Sequence, residues 1–320
     1  MPQGAKVTVK VPASSANLGP GYDSMGISLA YYDELTVERL ASETLEFDLS
    51  GEGTENVPQN SSHLVVQAMY RCWSAAGMQA MPGIRLTAHN RIPHSRGMGS
   101  SASAIVAGIV AANALLPESD RLSLNELFQL CSDMEGHPDN VAPSLFGNLV
   151  ISWGETSNWE YLSIPVSADI TPVVAIPDYE VSTKMARALI PATVPHAEAS
   201  QNSARAALLA QALSNAPQYL LAGTQDFLHQ NYRAEAMAPS AALVAHLREL
   251  GFPAVISGAG PTVMVFARGE DERRGVIAQI EQAQQIPAIG EHAGAQLSWR
   301  VLPVNIDTEG VIVLGEEPIQ

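Results

Sequence analysis

The sequence has few cysteines and no long hydrophobic run. Its 320 residues include 2 cysteines, Cys72 and Cys131, which are too few for a disulfide framework or, by themselves, for a metal site. We expect both to be small, buried apolar residues in a reducing compartment. The longest uncharged apolar run, residues 102–117, is shorter than the roughly 20 residues needed to span a bilayer, and it favours a buried helix. The N-terminus also lacks the apolar core of a signal peptide, so we expect a cytoplasmic protein.

Basic residues are scarce as well. The 17 lysines and arginines stand against 33 acidic residues, which gives a net charge of −16, and only Lys6, Lys10 and Lys184 are lysines. Nucleic acids and anionic membranes recruit basic surfaces, so we expect neither as a partner. With 46% hydrophobic and 16% charged residues, the chain is folded rather than disordered, and its length allows about two domains.

The hydrophobic pattern predicts two α+β domains, residues 1–160 and 161–320, with a boundary between 154 and 170. Val7, Val9 and Val11 alternate with polar residues, as in a half-buried strand. The second half has the order β-α-β-β-α-β of a split-βαβ, ferredoxin-like domain. The predicted strands cover 34–40, 45–49, 84–88, 149–153, 171–176, two strands joined by a turn within 254–266, and 296–301. The predicted helices cover 63–73, 197–215, 217–232, 240–250 and 271–285.

Three G-x-G triplets stand out: Gly19-Pro20-Gly21, Gly97-Met98-Gly99 and Gly258-Ala259-Gly260. None extends to the G-x-G-x-x-G of dinucleotide-binding folds, and no lysine completes a Walker loop. Any one of them alone is most often an ordinary turn. The third joins two predicted strands, so we expect a hairpin turn there unless it faces the other two.

The middle triplet has the features of a phosphate-binding loop. The segment PHSRGMGSSA, residues 93–102, leads directly into a helical stretch. Glycines allow close backbone approach, Ser100 and Ser101 are predicted to cap the helix, and the free N–H groups of its first turn attract anions. A hydroxyl at this position can also bind Mg²⁺ on a nucleotide.

Two further segments carry polar groups. Asn17 and Asp23 flank the first triplet and could offer an amide and a carboxylate to a small polar ligand, or could simply form a turn. Residues 135–140, EGHPDN, place several titratable groups between apolar segments. They are either a solvated loop or an acid/base or metal site.

Read together, these segments resemble the GHMP small-molecule kinases, and within them most closely the homoserine kinase family. PASSANLGPGYDSMG is similar to the N-terminal motif, with Tyr22 where Phe is more usual, and PHSRGMGSSAS is similar to the phosphate loop, with Met98 for Leu. EGHPDNVAPSLFGN resembles a further segment, in which Asn148 replaces a glycine and is expected to tolerate its left-handed backbone. STKMARALIP and SGAGPT are also similar, so the resemblance runs from about residue 7 to residue 266.

The resemblance implies an N-terminal nucleotide-binding domain like domain 2 of ribosomal protein S5, followed by the ferredoxin-like domain. It implies ATP and Mg²⁺ as cofactors, L-homoserine as the substrate, and a homodimer. The residues implied to bind ATP are Pro93, Gly97, Met98, Gly99, Ser100, Ser101, Ala102, Ser103, His63, Gly258 and Gly260, with Ser101 and Glu135 on the metal. Those implied to bind the substrate are Asn17, Asp23, His137, Asn140, Arg187 and Arg233, and the catalytic set is Glu135, Asn140, Arg187, Asp139 and Thr183.

The chemistry of the substrate fits these side chains. An arginine can hold a carboxylate with two parallel hydrogen bonds, which assigns Arg187 and Arg233 to that end, and Asp23 with an asparagine amide oxygen to the ammonium. Asp139 is either a general base or is uninvolved, with direct transfer and Asn140 or His137 only orienting the hydroxyl. A mevalonate- or shikimate-type kinase of the same superfamily, and a non-catalytic ligand sensor, are the alternative functions.

Overall fold

A sheet of seven strands forms the first half of the fold. The structure is a computed structural model that describes residues 2–283 and 298–315. Its strands are β1 (Lys6–Asn17), β2 (Gly21–Arg39), β3 (Leu45–Gly51), β4 (Ile84–Asn90), β5 (Leu149–Glu155), β6 (Asn158–Ile164) and β11 (Ile312–Val313). The sheet has the order β11-β1-β2-β4-β3, and β5 pairs with β2 and β6; of these pairs only β3–β4 is parallel. The predicted strands of this half are confirmed, and β2 begins 13 residues before the predicted 34–40 because its first part forms the hairpin with β1.

Helices cover one face of this sheet and enclose the first hydrophobic core. They are α1 (Leu64–Ala75), α2 (Ser100–Ala114), α3 (Leu124–Glu135) and α4 (Val141–Phe146). Helix α2 is buried almost all round, which explains why the apolar run 102–117 shows no polar face. In the part of the chain that the structure describes, no helix combines the length and the apolar character that crossing a membrane requires.

The second sheet has four antiparallel strands in the order β10-β7-β9-β8, which is the ferredoxin-like arrangement predicted from the β-α-β-β-α-β order. The strands are β7 (Ile170–Pro177), β8 (Ala254–Ile256), β9 (Val263–Arg268) and β10 (Trp299–Pro303). The helices are α5 (Thr183–Ala188), α6 (His196–Ser214), α7 (Leu220–Gly223), α8 (Gln230–Arg233), α9 (Ala238–Glu249) and α10 (Gly269–Ala283). Residues 284–285 of the predicted helix and 296–297 of the predicted last strand lie outside the described residues.

The predicted single helix over 217–232 is wrong. The Thr224 hydroxyl donates to the Leu220 carbonyl where α7 ends, and the Asp226 carboxylate accepts hydrogen bonds from the N–H groups of residues 228–230. A short polar side chain that bonds the backbone in this way ends one helix and starts another. The break separates α7 from α8, which carries Arg233.

The segment predicted to contain the domain boundary holds the β5–β6 hairpin. Strand β6 pairs with β5 along its whole length, and β7 of the second sheet begins six residues after β6 ends. At the other end of the chain, β11 pairs with β1 and so returns to the first sheet. A core of residues from both halves, including Leu18, Met98 and Leu209, joins the two sheets. The division at residue 160 stays a prediction.

Both cysteines are fully buried, as expected. Burial raises the pKa of the Cys72 thiol to about 12 and that of Cys131 well above its usual range. Because the thiolate is the reactive form, we expect neither cysteine to react with a thiol reagent at pH 8 in the folded protein. In denaturant both should react within minutes; measurable reaction in the native state would contradict their burial.

Candidate active site

The three glycine triplets meet in space. The Ser257 hydroxyl, just before the third triplet, donates to the carbonyl of Gly97 in the second (2.6 Å). Gly258 donates its N–H to the Ala16 carbonyl (3.0 Å) and accepts from the Asn17 amide (2.8 Å) at its own carbonyl. The third triplet therefore faces the other two, and the hairpin turn is part of the site.

The phosphate loop between β4 and α2 ends in a helix N-terminus. Gly97 and Gly99 have φ values of +74° and +73°, a conformation that favours glycine. Gly99 is the N-cap residue and α2 has no side-chain cap, so the predicted capping by Ser100 and Ser101 is wrong. Instead both serines lie in the first turn, where backbone N–H groups lack helical partners and favour an anion. The Ser101 hydroxyl donates to Glu135 Oε2 at 2.8 Å.

Two neighbouring cavities open on this loop. The smaller cavity, of ≈ 180 Å³, is lined by polar and charged groups, and the larger one, of ≈ 310 Å³, has a mostly apolar lining. Ser95, Ser100 and Ser101 belong to the lining of both. The phosphate loop is thus the shared wall between two binding spaces.

Most of the predicted site residues line one of the two cavities. Around the smaller cavity lie Asn17, Asp23, Gly97, Gly99, Ser100, Ser101, Glu135, His137, Asp139, Asn140, Thr183, Arg187, Arg233 and Gly258. His63 and Ser103 line the larger cavity.

Four predicted ATP-binding residues line neither cavity. Met98 and Ala102 are fully buried in the hydrophobic cores, so their side chains serve packing. Pro93 lines a separate space with Arg96 and Glu180, and Gly260 packs against Met237. These four residues match the family motifs but contribute to the packing and backbone shape of the loops, not to the cavity lining.

Arg187 and Asp23 form a bidentate ion pair in the smaller cavity, with distances of 2.8 and 2.9 Å. The Asp23 backbone has a left-handed φ of +52°, a strained conformation that aims the carboxylate at Arg187. The pair raises the pKa of Arg187. The sequence assigned these two residues to opposite ends of one ligand, whereas the structure pairs them with each other.

Asn17 and Asn140 differ in the hydrogen bonds that their side-chain amides make within the protein. The Asn17 amide donates to Gly258 and its oxygen accepts the Asp23 N–H (3.0 Å), so it ties loops together. The Asn140 oxygen accepts a hydrogen bond from the Ser14 hydroxyl at 3.0 Å, which directs the side chain into the cavity beside the phosphate loop.

An acidic cluster lies between the phosphate loop and α4. Burial raises the pKa of Glu135, while the bond from Ser101 opposes that shift. His137 Nδ1 lies 2.7 Å from Asp139 Oδ1, and this contact raises the pKa of His137. Asp139 is 2% exposed and lines the smaller cavity, with its carboxylate paired to His137.

Asp33 in β2 is a site residue that the sequence did not indicate. Its carboxylate accepts hydrogen bonds from the N–H groups of Arg91 (2.6 Å) and Ile92 (2.9 Å) and from the Ser103 hydroxyl (3.2 Å). It anchors the start of the phosphate loop and lines the larger cavity, and burial raises its pKa. No sequence signal marks it, because a polar residue is expected at alternate positions of a strand. His94, Ser95 and Ala259 also line the cavities; they lie in the loops of the second and third triplets, where the motif match singled out their neighbours.

Two segments of the sequence match models of protein domain families. Residues 63–148 match "GHMP kinases N terminal domain" and residues 204–285 match "GHMP kinases C terminal". The first segment contains the phosphate loop and Glu135, and the second contains Arg233 and Gly258. Fold and site together define a GHMP kinase, a small-molecule kinase.

Similar proteins show to which family within the GHMP kinases the chain belongs. A homoserine kinase from Clavibacter michiganensis subsp. michiganensis is 42% identical over 310 residues, which is 97% of this chain and 94% of the relative. One from Streptomyces coelicolor is 43% identical over 311 residues, 97% and 95% of the two chains. The crystal structure of homoserine kinase from Cytophaga hutchinsonii shares the fold, with a TM-score of 0.84, 20% identity and coverage of 98% and 99%. The chain belongs to the homoserine kinase family.

Proposed function

We propose that this protein transfers the γ-phosphoryl group of ATP to the hydroxyl of L-homoserine, giving O-phospho-L-homoserine and ADP. The observation that carries the proposal is the Asp23–Arg187 ion pair inside a small polar cavity that shares its wall with a phosphate loop. Relatives that are 42% and 43% identical over 97% of the chain are homoserine kinases. The mevalonate- and shikimate-type alternatives lack this support.

The ion pair suits an amino acid because each partner can exchange its bond for one to the ligand. A zwitterion offers a carboxylate to Arg187 and an ammonium to Asp23, so neither side chain is left unpaired. Arg233, which is 2% exposed and lines the same cavity, adds a second positive charge for the carboxylate. An acid without an ammonium group would leave Asp23 without a partner, at a cost in binding free energy.

The larger cavity supports a nucleotide. It extends from the phosphate loop to His63 at the start of α1, past the apolar side chains of Val57 and Leu64. A purine base needs such an apolar slot, and the first turn of α2 lies where the phosphates would then run. The Asp33 carboxylate keeps this loop in place.

Ser101 and Glu135 fit a magnesium ion. Their oxygens lie 2.8 Å apart at the wall between the cavities, and oxygen ligands are those that Mg²⁺ prefers. Burial works against the Glu135 charge, which a cation would relieve. No cluster of three or more acidic, histidine or cysteine side chains suited to a metal occurs within residues 2–283 and 298–315, so a nucleotide-borne ion fits better than a resident one. When bound, Mg²⁺ would neutralise charge on the phosphates.

The remaining chemistry is positioning. The helix N-terminus after Gly99 stabilises negative charge on the transferring group, and Arg187 and Thr183 line the same cavity. Because Asp139 is bonded to His137, we assign it to holding that ring, and we propose that Asn140 orients the acceptor hydroxyl for direct transfer. The proton of the acceptor hydroxyl then passes to a phosphate oxygen.

The test is ADP release with L-homoserine, mevalonate and shikimate measured in parallel, with mass spectrometry of the product. We expect turnover with homoserine and at least about 100-fold lower kcat/KM with the other two, because only homoserine satisfies both Asp23 and Arg187. Equal or better turnover of mevalonate or shikimate would contradict the substrate assignment. Binding of ATP without turnover of any alcohol would instead support a ligand sensor.

The homodimer and the cytoplasmic location, which the sequence predicts, stay predictions. Sedimentation velocity of the purified chain measures the first, and fractionation of the source cells measures the second.

A further inference from the structure

A pair of stacked rings contacts Arg187 and Arg233, the two arginines of the smaller cavity. Tyr22 and His229 lie with ring centroids 5.2 Å apart and an interplanar angle of 30°. Tyr22 comes from β2 of the first sheet and His229 from the residue before α8 of the second half. Neither ring belongs to the lining of the cavity.

His229 has both ring nitrogens engaged, and their partners define its tautomer. Nε2 lies 2.8 Å from the Gly19 carbonyl, which can only accept, so this nitrogen carries the proton. Nδ1 lies 3.2 Å from Arg233 Nη1, which can only donate, so Nδ1 is the acceptor. The fully buried ring is therefore neutral and joins the first glycine triplet to Arg233.

Tyr22 supports the other arginine in the same way. Its hydroxyl accepts a hydrogen bond from Arg187 Nη1 at 3.2 Å. The guanidinium carbons of Arg187 and Arg233 also lie 5.9 Å and 5.3 Å from the centre of the Tyr22 ring. An aromatic face attracts a cation, so the ring holds two like charges near each other.

We propose that the stacked Tyr22–His229 pair is a platform that sets the orientation of Arg187 and Arg233 and thereby selects a substrate with a carboxylate. This inference rests on the proposed function. Each ring accepts one hydrogen bond from one arginine, and the stack links the two rings, so both guanidinium groups are held in a fixed orientation at the cavity. Tyr22 and His229 are positioning residues, since they act through the arginines.

The test uses Tyr22→Phe, which removes only the hydroxyl, and His229→Phe, which keeps a ring for stacking but removes both nitrogens. We expect KM for homoserine to rise about three- to tenfold in the first variant and about ten- to 100-fold in the second. The kcat and the KM for ATP should stay within about twofold of wild type. The competitive inhibition constant Ki of 3-aminopropan-1-ol, which is homoserine without its carboxylate, should also stay unchanged.

Tyr161→Phe is the matched control, because Tyr161 stacks on Phe146 in the first core, away from both cavities. It should leave all constants unchanged. If Tyr22→Phe folds and keeps the wild-type KM for homoserine, the platform is wrong while the proposed function stands. Equal losses for homoserine, ATP and 3-aminopropan-1-ol would also overturn it, since they indicate general loosening. A wild-type protein without any turnover of homoserine would contradict the proposed function, and the platform with it.

Discussion

Replacing Glu135 by glutamine is expected to lower kcat by on the order of 100-fold at saturating ATP, Mg²⁺ and homoserine. Glutamine keeps the size and the bond from Ser101 but removes the negative charge. Glu135 is the carboxylate that faces Ser101 at the wall between the cavities, whereas Asp139 is turned to His137 and Asp23 to Arg187. The lost charge therefore has no replacement in the site.

The same substitution is expected to leave the protein as stable as wild type, or more so. Burial raises the pKa of Glu135 in the folded state, so folding favours its neutral form. As pH rises from the pKa of the unfolded chain through the raised pKa of the folded one, the wild type loses stability, because its carboxylate must ionise while buried. The glutamine variant has no such group and should lose less stability over this window, which lies above the usual glutamate pKa of 4.5. Thermal unfolding of both proteins between pH 4 and 8 measures the difference.

Glu126→Gln is the control, because Glu126 lies at the other end of the same helix. Its carboxylate accepts from the N–H and the hydroxyl of Ser123 in a capping box, where glutamine can substitute. We expect a small loss of stability and an unchanged kcat. A Glu135→Gln variant with wild-type kcat would show that this residue does not act on the phosphates or their metal ion.

The parts of the fold that sequence predicts well are those carried by local patterns. Alternation at Val7, Val9 and Val11 predicts β1, and the order of elements after residue 170 predicts the ferredoxin-like sheet. The left-handed backbone expected at Asn148 is confirmed by its φ of +60°. Such features depend on a few neighbouring residues, so a single sequence contains the signal.

What sequence misses depends on distant partners. Asp33 serves the phosphate loop through residues 58 positions away, and nothing near it in the chain indicates this. Gly26 looks like any strand glycine, yet a Cβ there would lie 1.7 Å from the Asp139 carbonyl, so it lets the acidic cluster approach β2. The pairing of Arg187 with Asp23 likewise requires both halves of the fold.

Replacing Gly97 by alanine is expected to lower kcat/KM for ATP by on the order of 100-fold, because the triplets would be forced apart. A Cβ at Gly97 would lie 2.2 Å from the Ser257 carbonyl and 2.9 Å from that of Gly260. Both contacts are backbone atoms, which cannot rotate away, so the second and third triplets must separate. The Ser257–Gly97 hydrogen bond would be lost as well. We also expect about 2–4 kcal/mol less free energy of unfolding, from strain at positive φ together with overpacking.

Gly77→Ala separates these two contributions. Gly77 has a similar φ of +83°, but a Cβ there meets no atom within 4 Å, so it measures backbone strain alone. We expect about 1 kcal/mol of lost stability and wild-type kinetics for this variant. Chemical denaturation gives the stabilities, and initial rates with varied ATP and homoserine give the constants. If Gly97→Ala lost no more than Gly77→Ala in either measurement, close contact between the triplets would not be what shapes the phosphate site. A lower kcat/KM for ATP in a Gly97→Ala variant that remains folded under the assay conditions would instead indicate that phosphoryl transfer requires the spacing of the triplets, and not only their presence.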